Sequence, residues 1–298
     1  DYGVSDFVGS QLEKPLFWAL SPRGRPSFDT LAAWLGSSSV GVLITIQQHE
    51  KGCYSGREAA VIATNFSVAS IAFCFLVATV IEIDHRFFEF YLSNLFSGLV
   101  AALILPRIWP LAKKEDVYLV EQATVEGRPG ADVGVLGWAF TQGIEKAKTA
   151  PNLKLLLKNS LINVLDIWFS LLPSVVAIGT IVLALAEFTP LFSILTKPMV
   201  PILELMQIPE APAAAPTFLV GFADMYLPAV IGKNIESEMT RFIIGCVSIT
   251  QIIYMTEIGT LILKSNIPLK VGELLVIFLL RTLITLPIIT AIVHFIYR

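Results

Sequence analysis

Residues 274–296 of the chain are LLVIFLLRTLITLPIITAIVHFI, an unbroken apolar run whose only Lys or Arg is Arg281. A helix needs about 20 apolar residues to cross a bilayer, so this run predicts a membrane span. Four further runs qualify, at 59–83, 90–110, 161–186 and 242–263. Hydrophobic residues make up 55% of the 298 residues and charged residues only 15%, with a mean hydropathy of +0.72. Soluble domains carry about 25% charged residues, so the sequence predicts an all-α integral membrane protein.

Three other apolar runs are short or broken, at 7–20, 31–46 and 211–232. The second run has GSSSVG at residues 36–41, and the third holds three prolines, Gly221 and Asp224. Proline removes a backbone donor and glycine loosens a helix, so both runs should be interrupted. Backbone groups freed inside a membrane survive only within protein or beside a wet cavity. We therefore expect the runs 31–46 and 211–232 to form re-entrant helical hairpins.

Matched residues at a nearly constant spacing relate the two halves of the chain. The offsets between them run from 181 to 185 residues, and the pairs are Lys14-Pro15 with Lys197-Pro198, Leu35-Gly36 with Val220-Gly221, Arg57 with Arg241, and Leu105-Pro106 with Leu286-Pro287. This pattern predicts two repeats, at 1–110 and 159–298. The opening span of the second repeat has no counterpart after Asp1, so we expect at least one more membrane helix upstream. Each repeat would then cross the membrane three times, and the second copy is predicted to be inverted.

The polar stretch 111–158 is the predicted linker between the repeats, with an amphipathic helix at 135–148. If the linker lies inside the cell, fifteen of the 21 Lys and Arg residues fall on that side and five on the other. Positive charge concentrates in short cytoplasmic loops, so the linker is predicted to be cytoplasmic. The membrane is expected to be a bacterial inner membrane. The net charge of −3 gives no basic surface for nucleic acid.

Metal and cofactor motifs are not found in the sequence. Cys53, Cys74 and Cys246 stand singly, and the three histidines are far apart. We therefore expect neither a cofactor nor a bound metal, although Na⁺ or H⁺ stays open as a coupling ion.

Four stretches resemble the YjiH-type membrane proteins, at 34–43, 57–67, 220–229 and 236–242; the first is WLGSSSVGVL and the third VGFADMYLPA. These proteins belong to the nucleoside-recognition or Gate-domain class. That class includes the permease core of ferrous-iron transporter B, spore-maturation membrane proteins and part of the concentrative nucleoside transporters. The resemblance implies two Gate repeats in a membrane and leaves the substrate open.

Both hairpin tips carry polar groups that could bind a solute. At the first tip, the hydroxyls and free amides of Gly36, Ser37, Ser38 and Ser39 suit carboxylate or hydroxyl groups, and tight helix packing by small residues is the alternative. The second tip has Gly221, Asp224 and Tyr226. Asp224 could bind a cation, a proton or an amino group, or it could cap the following half-helix.

The spans after each tip carry further polar residues, and these are functional candidates because polar groups are costly in a membrane. Asn65 and Ser67 follow the first tip, and Ser248 and Gln251 follow the second. Their alternative role is hydrogen bonding between helices. Glu257 and Arg281 are the most deeply placed charges, and we expect them to pair with each other or with Asp224, or Glu257 to couple transport to protons.

Three functions fit these patterns. The first is an alternating-access transporter of a small polar solute (a nucleoside, amino acid, short peptide or organic acid) with its site at the two tips. The second is a non-transporting membrane scaffold or sensor. The third is an intramembrane hydrolase that uses the serine tip and His294, although no base is placed beside those serines. The expectation is a non-enzymatic protein whose partners are a solute and the lipid bilayer, with a homo-oligomer left open.

Overall fold

The computed structural model describes residues 38–65, 70–120 and 188–298, together with scattered helical positions between Lys158 and Leu185. Within these ranges the regular structure is helical. The helices are α1 (Ser38–Glu50), α2 (Gly56–Asn65), α3 (Ile71–Val80), α4 (Phe87–Ile104), α5 (Leu191–Thr196), α6 (Val200–Leu205), α7 (Ala211–Val220), α8 (Leu227–Gly232), α9 (Glu238–Gln251), α10 (Thr260–Lys264) and α11 (Val271–Ile296). Short 3₁₀ turns flank α4 at Asp84–Arg86 and Leu105–Arg107, and a π-helix, Met255–Gly259, precedes α10.

The all-helical class is confirmed for the described residues. Three helical stretches among them are long and apolar enough to cross a membrane, at Asp84–Arg107, Glu238–Lys264 and Val271–Ile296. They coincide with the predicted spans at 90–110, 242–263 and 274–296. The predicted span at 161–186, the broken run at 7–20 and most of the linker lie outside the continuous described ranges.

The predicted span at 59–83 is not one helix. α2 ends at Asn65, and α3 starts after Ser70, whose backbone is extended at φ −55° and ψ 148°. The Ser70 hydroxyl accepts a hydrogen bond from the backbone N–H of Phe73 at 3.2 Å. A serine in this position is an N-cap, which satisfies the free donors of a new helix, so the run contains two helices in series.

The span at 242–263 is interrupted as well. α9 ends at Gln251, Ile252 takes a positive φ of 61°, and Tyr254 is extended before the π-helix begins. Positive φ is costly for a β-branched residue, so this backbone turn is held by its surroundings rather than by local preference.

The run at 211–232 breaks where the sequence predicts. α7 and α8 flank a non-helical tip at 221–226. In the first half, Ser38 and Ser39 lie within the helix α1 rather than in an open loop. Gly36 and Ser37 are outside the described residues.

Polar contacts tie the helix ends together on two sides of the molecule. On the first side, here the Arg86 side, Glu238 at the start of α9 meets Arg86 before α4 at 3.5 Å and accepts a hydrogen bond from Tyr297 after α11 at 2.6 Å. On the opposite Lys114 side, Lys114 forms a 2.7 Å ion pair with Glu273 in the first turn of α11.

These contacts fix the direction of each helix. The end of α3 lies on the Arg86 side, because Arg241 donates to the carbonyl of Ile81 at 2.9 Å. The start of α2 lies on the Lys114 side, because the N–H of Gly56 donates to the carbonyl of Val117 at 2.8 Å. The pair α2–α3 therefore runs from the Lys114 side to the Arg86 side, and the pair α9–α10 runs the opposite way. In the same manner, α4 and α11 are antiparallel.

Two apolar cores stand one above the other, with polar residues between them. The core on the Arg86 side contains Phe90, Phe242 and Ile289, and the core on the Lys114 side contains Ala60, Ile258 and Phe278. The stretch 238–264 is central, with 89% of its most apolar window buried, against 44% and 50% for the other two membrane-length stretches. The polar residues between the cores, here the polar layer, are Thr64, Asn65, Thr250, Gln251, Arg281 and Thr282.

Candidate functional site

The tip at 221–226 docks onto the interruption that follows α9. The N–H of Met255 donates to the carbonyl of Phe222 at 2.8 Å, and the N–H of Thr256 donates to the carbonyl of Ala223 at 3.0 Å. These bonds satisfy backbone groups that the interruption releases, which a membrane interior requires. The tip and the interruption therefore form one structural unit.

Asp224 lies within this unit, and both of its carboxylate oxygens have partners. Oδ1 accepts from the N–H of Tyr226 at 2.8 Å, and Oδ2 accepts from the hydroxyl of Thr256 at 2.8 Å. The bond to Tyr226 is the local capping contact expected of an aspartate before a short helix. The second bond also ties the tip to the π-helix. Tyr226 itself is half-buried, with its ring edge-on to Phe73.

Glu257 joins the two halves of the chain. Its Oε1 accepts a hydrogen bond from the hydroxyl of Ser39 in α1, and its Oε2 accepts from the hydroxyl of Tyr254 at 2.9 Å. Ser39 and Asp224 occupy matched positions of the proposed repeat, and the structure brings both of them to this unit through different partners.

Arg281 is fully buried and lies where α2 and α9 end. Its Nε donates to the carbonyl of Thr250 at 2.8 Å, and its Nη1 donates to the carbonyl of Thr64 at 3.2 Å and to Oδ1 of Asn65 at 3.1 Å. The carboxyl end of α9 carries roughly half a negative charge, which offsets part of the guanidinium charge. Arg281 thereby links the interrupted ends of both halves.

The expected pairing of Arg281 with Glu257 or Asp224 is not what the structure contains. Among the described residues, every hydrogen-bond partner of Arg281 is a carbonyl or amide oxygen, and both carboxylates are bound by hydroxyl and N–H groups. The carbonyl oxygens of Thr64 and Thr250 and the amide oxygen of Asn65 compensate the cation without a carboxylate.

Gln251, the last residue of α9, holds the hairpin against α11. Its Nε2 donates to the carbonyl of Phe218 at 2.9 Å and to the hydroxyl of Thr282 at 2.8 Å. Its Oε1 lies so close to Gly221 that a Cβ built there would stand 2.2 Å from it. Glycine at the start of the tip is therefore what lets the amide occupy this position.

The remaining predicted residues fall in different places. Ser248 is buried, and its hydroxyl bonds the carbonyl of Gly245 within its own helix at 2.9 Å. Ser67, like Gly36 and Ser37, lies outside the described residues. Ser38 is buried near Ser39 at the start of α1. Within the described ranges, no three His, Cys, Asp or Glu residues gather in a group that could hold a metal.

Sequence reasoning did not single out Tyr254 or Thr282. Tyr254 is 3% exposed and carries one of the two hydroxyls on Glu257. A tyrosine or threonine within an apolar run is ordinarily interpreted as a packing residue. Tyr254 was identified only from the structure, where the interruption after α9 brings its hydroxyl to Glu257.

Comparison with known proteins gives one relative and no functional assignment. An uncharacterized protein of Alkalihalophilus pseudofirmus is 50% identical over 300 residues. The alignment covers 99% of this chain but 64% of the relative, so the chain spans about two-thirds of the length of the protein it resembles. No family model and no solved structure matches the chain.

Proposed function

We propose that this chain forms the core of an alternating-access transporter for a small polar solute in a bacterial inner membrane. One observation carries the proposal: a hairpin tip and the interrupted ends of two membrane helices meet at one buried polar region, joined by Arg281 and by the bonds between the tip and Met255–Thr256. Transporters place solute and ion sites at such interruptions because unwound backbone and helix ends supply polar groups there.

The helix order supports two inverted repeats of the kind that alternating access uses. α4 begins at Phe87 and α11 at Val271, 184 positions later. Likewise α3 begins at Ile71 and the π-helix at Met255, again 184 positions later. In each pair, one element runs from the Arg86 side to the Lys114 side and the other runs in the opposite direction. The strained φ at Ile252 also supports a functional role, because backbone strain is retained mainly where function needs it.

The resemblance to YjiH-type Gate proteins agrees with this proposal. It favours a membrane location and a repeat pair, and it leaves nucleosides, amino acids, short peptides and organic acids as substrate classes. In this proposal, the re-entrant element is the hairpin α7–tip–α8, and the linker is cytoplasmic on the Lys114 side.

Asp224 and Glu257 are the groups that would couple transport to H⁺ or Na⁺. Both are partly buried beside the tip, and among the described residues neither forms an ion pair with a cationic side chain. A carboxylate in this setting gains a partner when a cation or proton arrives, which is the requirement for coupling.

A non-transporting scaffold or sensor is the second candidate, and one observation favours it. All four carboxylate oxygens of Asp224 and Glu257 already have protein donors. Carboxylates whose oxygens all accept hydrogen bonds from the protein can serve only to hold the helices together, which is the role that a scaffold requires.

Uptake into proteoliposomes separates the two candidates. Purified protein would be reconstituted and tested with radiolabelled members of each solute class, under imposed pH and sodium gradients. We expect gradient-dependent uptake that is lost in Asp224→Asn and in Glu257→Gln. Glu204→Gln is the matched control, because Glu204 is exposed on α6, away from the tip.

No uptake of any solute by folded protein would contradict transport. Uptake that persists unchanged in both variants would support transport but contradict the coupling role of Asp224 and Glu257.

A further inference from the structure

A cavity of about 430 Å³ opens on the Lys114 side, between the segment 113–119 that follows α4 and the loop 265–270 that precedes α11. Its walls combine two kinds of side chain, since Lys113 and Lys114 are cationic and Val117 and Leu119 are apolar. The volume lies in the range of small-molecule sites. None of its wall residues belongs to the tip or to the polar layer, so this cavity is separate from the candidate transport site.

Contacts within the protein hold both walls of the cavity. The segment 113–119 is fixed at Lys114, which pairs with Glu273 at 2.7 Å, and at Val117, whose carbonyl accepts from the first N–H of α2 at 2.8 Å. The opposite wall is fixed by His49, whose Nε2 lies 3.3 Å from the carbonyl of Asn266. A cavity whose walls are already held in place binds a ligand at a lower cost in ordering.

The lysines of the cavity keep free donors. Lys113 is exposed, and its ammonium group has no partner among the described residues. Lys114 directs two bonds to the carboxylate of Glu273, at 2.7 and 2.8 Å, and an ammonium group has three donors. One carboxylate, Glu115, also lines the cavity and opposes an anion there.

The face around the cavity is cationic as a whole. Among its described residues, seven cationic side chains stand against five carboxylates, a net charge of +2 with histidine neutral. The cations are Lys51, Arg57, Arg107, Lys113, Lys114, Lys264 and Lys270, and the carboxylates are Glu50, Glu58, Glu115, Asp116 and Glu273. An anionic ligand is therefore complementary in charge to this face.

Apolar side chains are exposed on the same stretch of chain. Trp109, Val117, Leu119 and Val120 are all exposed, just beyond the end of α4. Because α4 and α11 belong to membrane-length stretches, this region lies at the level where a span would leave the bilayer. Tryptophan, lysine and arginine are typical of that level, where apolar groups face the acyl chains and cations face the phosphates.

We infer that the cavity binds an anionic phospholipid from the leaflet on the Lys114 side. The phosphate accepts hydrogen bonds from the ammonium groups of Lys113 and Lys114, and the upper part of the acyl chains contacts Val117 and Leu119. A soluble anion would use the lysines alone and leave the apolar part of the wall in water, whereas a phospholipid is complementary to both parts.

The predicted orientation of the protein agrees with this ligand. Positive-residue counts predict that the Lys114 side is cytoplasmic, and basic pockets between membrane helices on that side bind anionic headgroups. The lipid site goes beyond the proposed transport function and does not depend on it.

The test is lipid binding by the wild-type protein in a neutral detergent, measured by thermal unfolding. The probes are dioctanoyl phosphatidylglycerol, dioctanoyl phosphatidylcholine and glycerol 3-phosphate. We expect the phosphatidylglycerol to raise the unfolding temperature in a saturable manner, because a ligand of the folded state stabilises it by mass action. The other two should bind roughly tenfold or more weakly, since one lacks the net negative charge and the other lacks the acyl chains.

Variants then locate the site. Lys113→Gln should weaken phosphatidylglycerol binding about fivefold, the contribution expected of one lysine at an anionic lipid surface. Leu119→Ser should weaken it as well, and Glu115→Gln should strengthen it by removing a like charge. Lys264→Gln is the matched control, because Lys264 is an exposed lysine at the end of α10 that does not line the cavity. Its affinity should stay within about twofold of the wild type.

Four outcomes would overturn the inference. Equal binding of the two phospholipids would remove the role of charge, and equal losses in Lys113→Gln and Lys264→Gln would indicate diffuse attraction to the whole face. Binding of glycerol 3-phosphate as tight as that of the lipid, unchanged in Leu119→Ser, would indicate a site for a soluble phosphate. No response to any probe by cooperatively unfolding protein would show that the cavity binds no lipid. The proteoliposome assay decides transport separately in every case.

Discussion

At the scale of single residues, the polar layer shows how a fully buried cation is stabilised by oxygen atoms of the protein. Arg281 would be prohibitively costly alone in an apolar interior, and it is stabilised here by the carbonyls of Thr250 and Thr64 and the amide oxygen of Asn65. The interrupted helices and the arginine therefore depend on each other. The carbonyls of Thr250 and Thr64 accept hydrogen bonds from Arg281, and the guanidinium of Arg281 requires such acceptors.

Replacing Gly221 by alanine tests how closely the tip and Gln251 fit. The added Cβ would stand 2.2 Å from Gln251 Oε1, so the amide must move and its bonds to Phe218 and Thr282 weaken. We expect Gly221→Ala to lower the unfolding free energy by about 1–3 kcal/mol in denaturant titration. Gly98→Ala is the control, since no atom lies within 4 Å of a Cβ at this helical position. Equal stability of the two variants would show that the amide is not held by the tip.

A double-mutant cycle between Ser39 and Glu257 tests the bond that joins the two halves. Ser39→Ala and Glu257→Gln should each destabilise the protein, and the double variant should lose less than the two losses combined. Residues in direct contact couple by about 0.5–3 kcal/mol. Stability of the four proteins in detergent gives the coupling, and strict additivity would contradict the contact.

At the scale of secondary-structure elements, the start of α2 is fixed by a capping box. The Ser55 hydroxyl accepts from the N–H of Glu58 at 3.2 Å, and Glu58 Oε2 accepts from the N–H of Ser55 at 2.9 Å. The Ser55 hydroxyl also bonds Asp116, so the cap joins α2 to the segment after α4.

This cap predicts a pH dependence of stability. Burial raises the pKa of Glu58, with further contributions in the same direction from Asp116, while bonds to Ser55 and the charge of Arg57 oppose it. The folded protein therefore holds the proton more tightly than the unfolded chain, and stability present at low pH is lost as the pH rises above about 4.5.

Glu58→Gln removes this titration and keeps a side chain that can complete the capping box. We expect the unfolding temperature of the variant to fall less than that of the wild type between about pH 4 and pH 7, measured in one detergent and one salt concentration. Parallel curves for the two proteins would contradict the assignment to Glu58.

At the scale of the whole molecule, the antiparallel arrangement of the helix pairs predicts which residues share a side of the membrane. Asp84 and Glu238 lie on the Arg86 side, and Lys113 lies on the Lys114 side, within the predicted cytoplasmic linker. Positive-residue counts predict that the Lys114 side lies inside the cell.

Labelling of introduced cysteines tests this topology. In a background that lacks Cys53, Cys74 and Cys246, an impermeant maleimide should label Asp84→Cys in intact cells, and Lys113→Cys only after the membrane is opened. Both positions are exposed, so failure to react would not come from burial. Labelling of both from the same side would contradict the arrangement.

The sequence by itself determined the helical class and the positions of three helical stretches that are long and apolar enough to cross a membrane. Long apolar runs specify spans because backbone groups in a membrane must bond within their own helix. Proline and glycine between residues 211 and 232 also specified a break near Gly221, since each weakens a helix locally.

Only the tertiary structure decided where the spans at 59–83 and 242–263 are interrupted and what compensates each charge. No proline or glycine lies between Asn65 and Ser70 or between Gln251 and Met255, so local composition did not mark these breaks. Long-range contacts hold them: the tip bonds Met255 and Thr256, and Arg281 bonds the two helix ends. The partner of a buried arginine depends on which carbonyls meet at one point, and that is a property of the packed molecule, which a linear pattern of residue types does not encode.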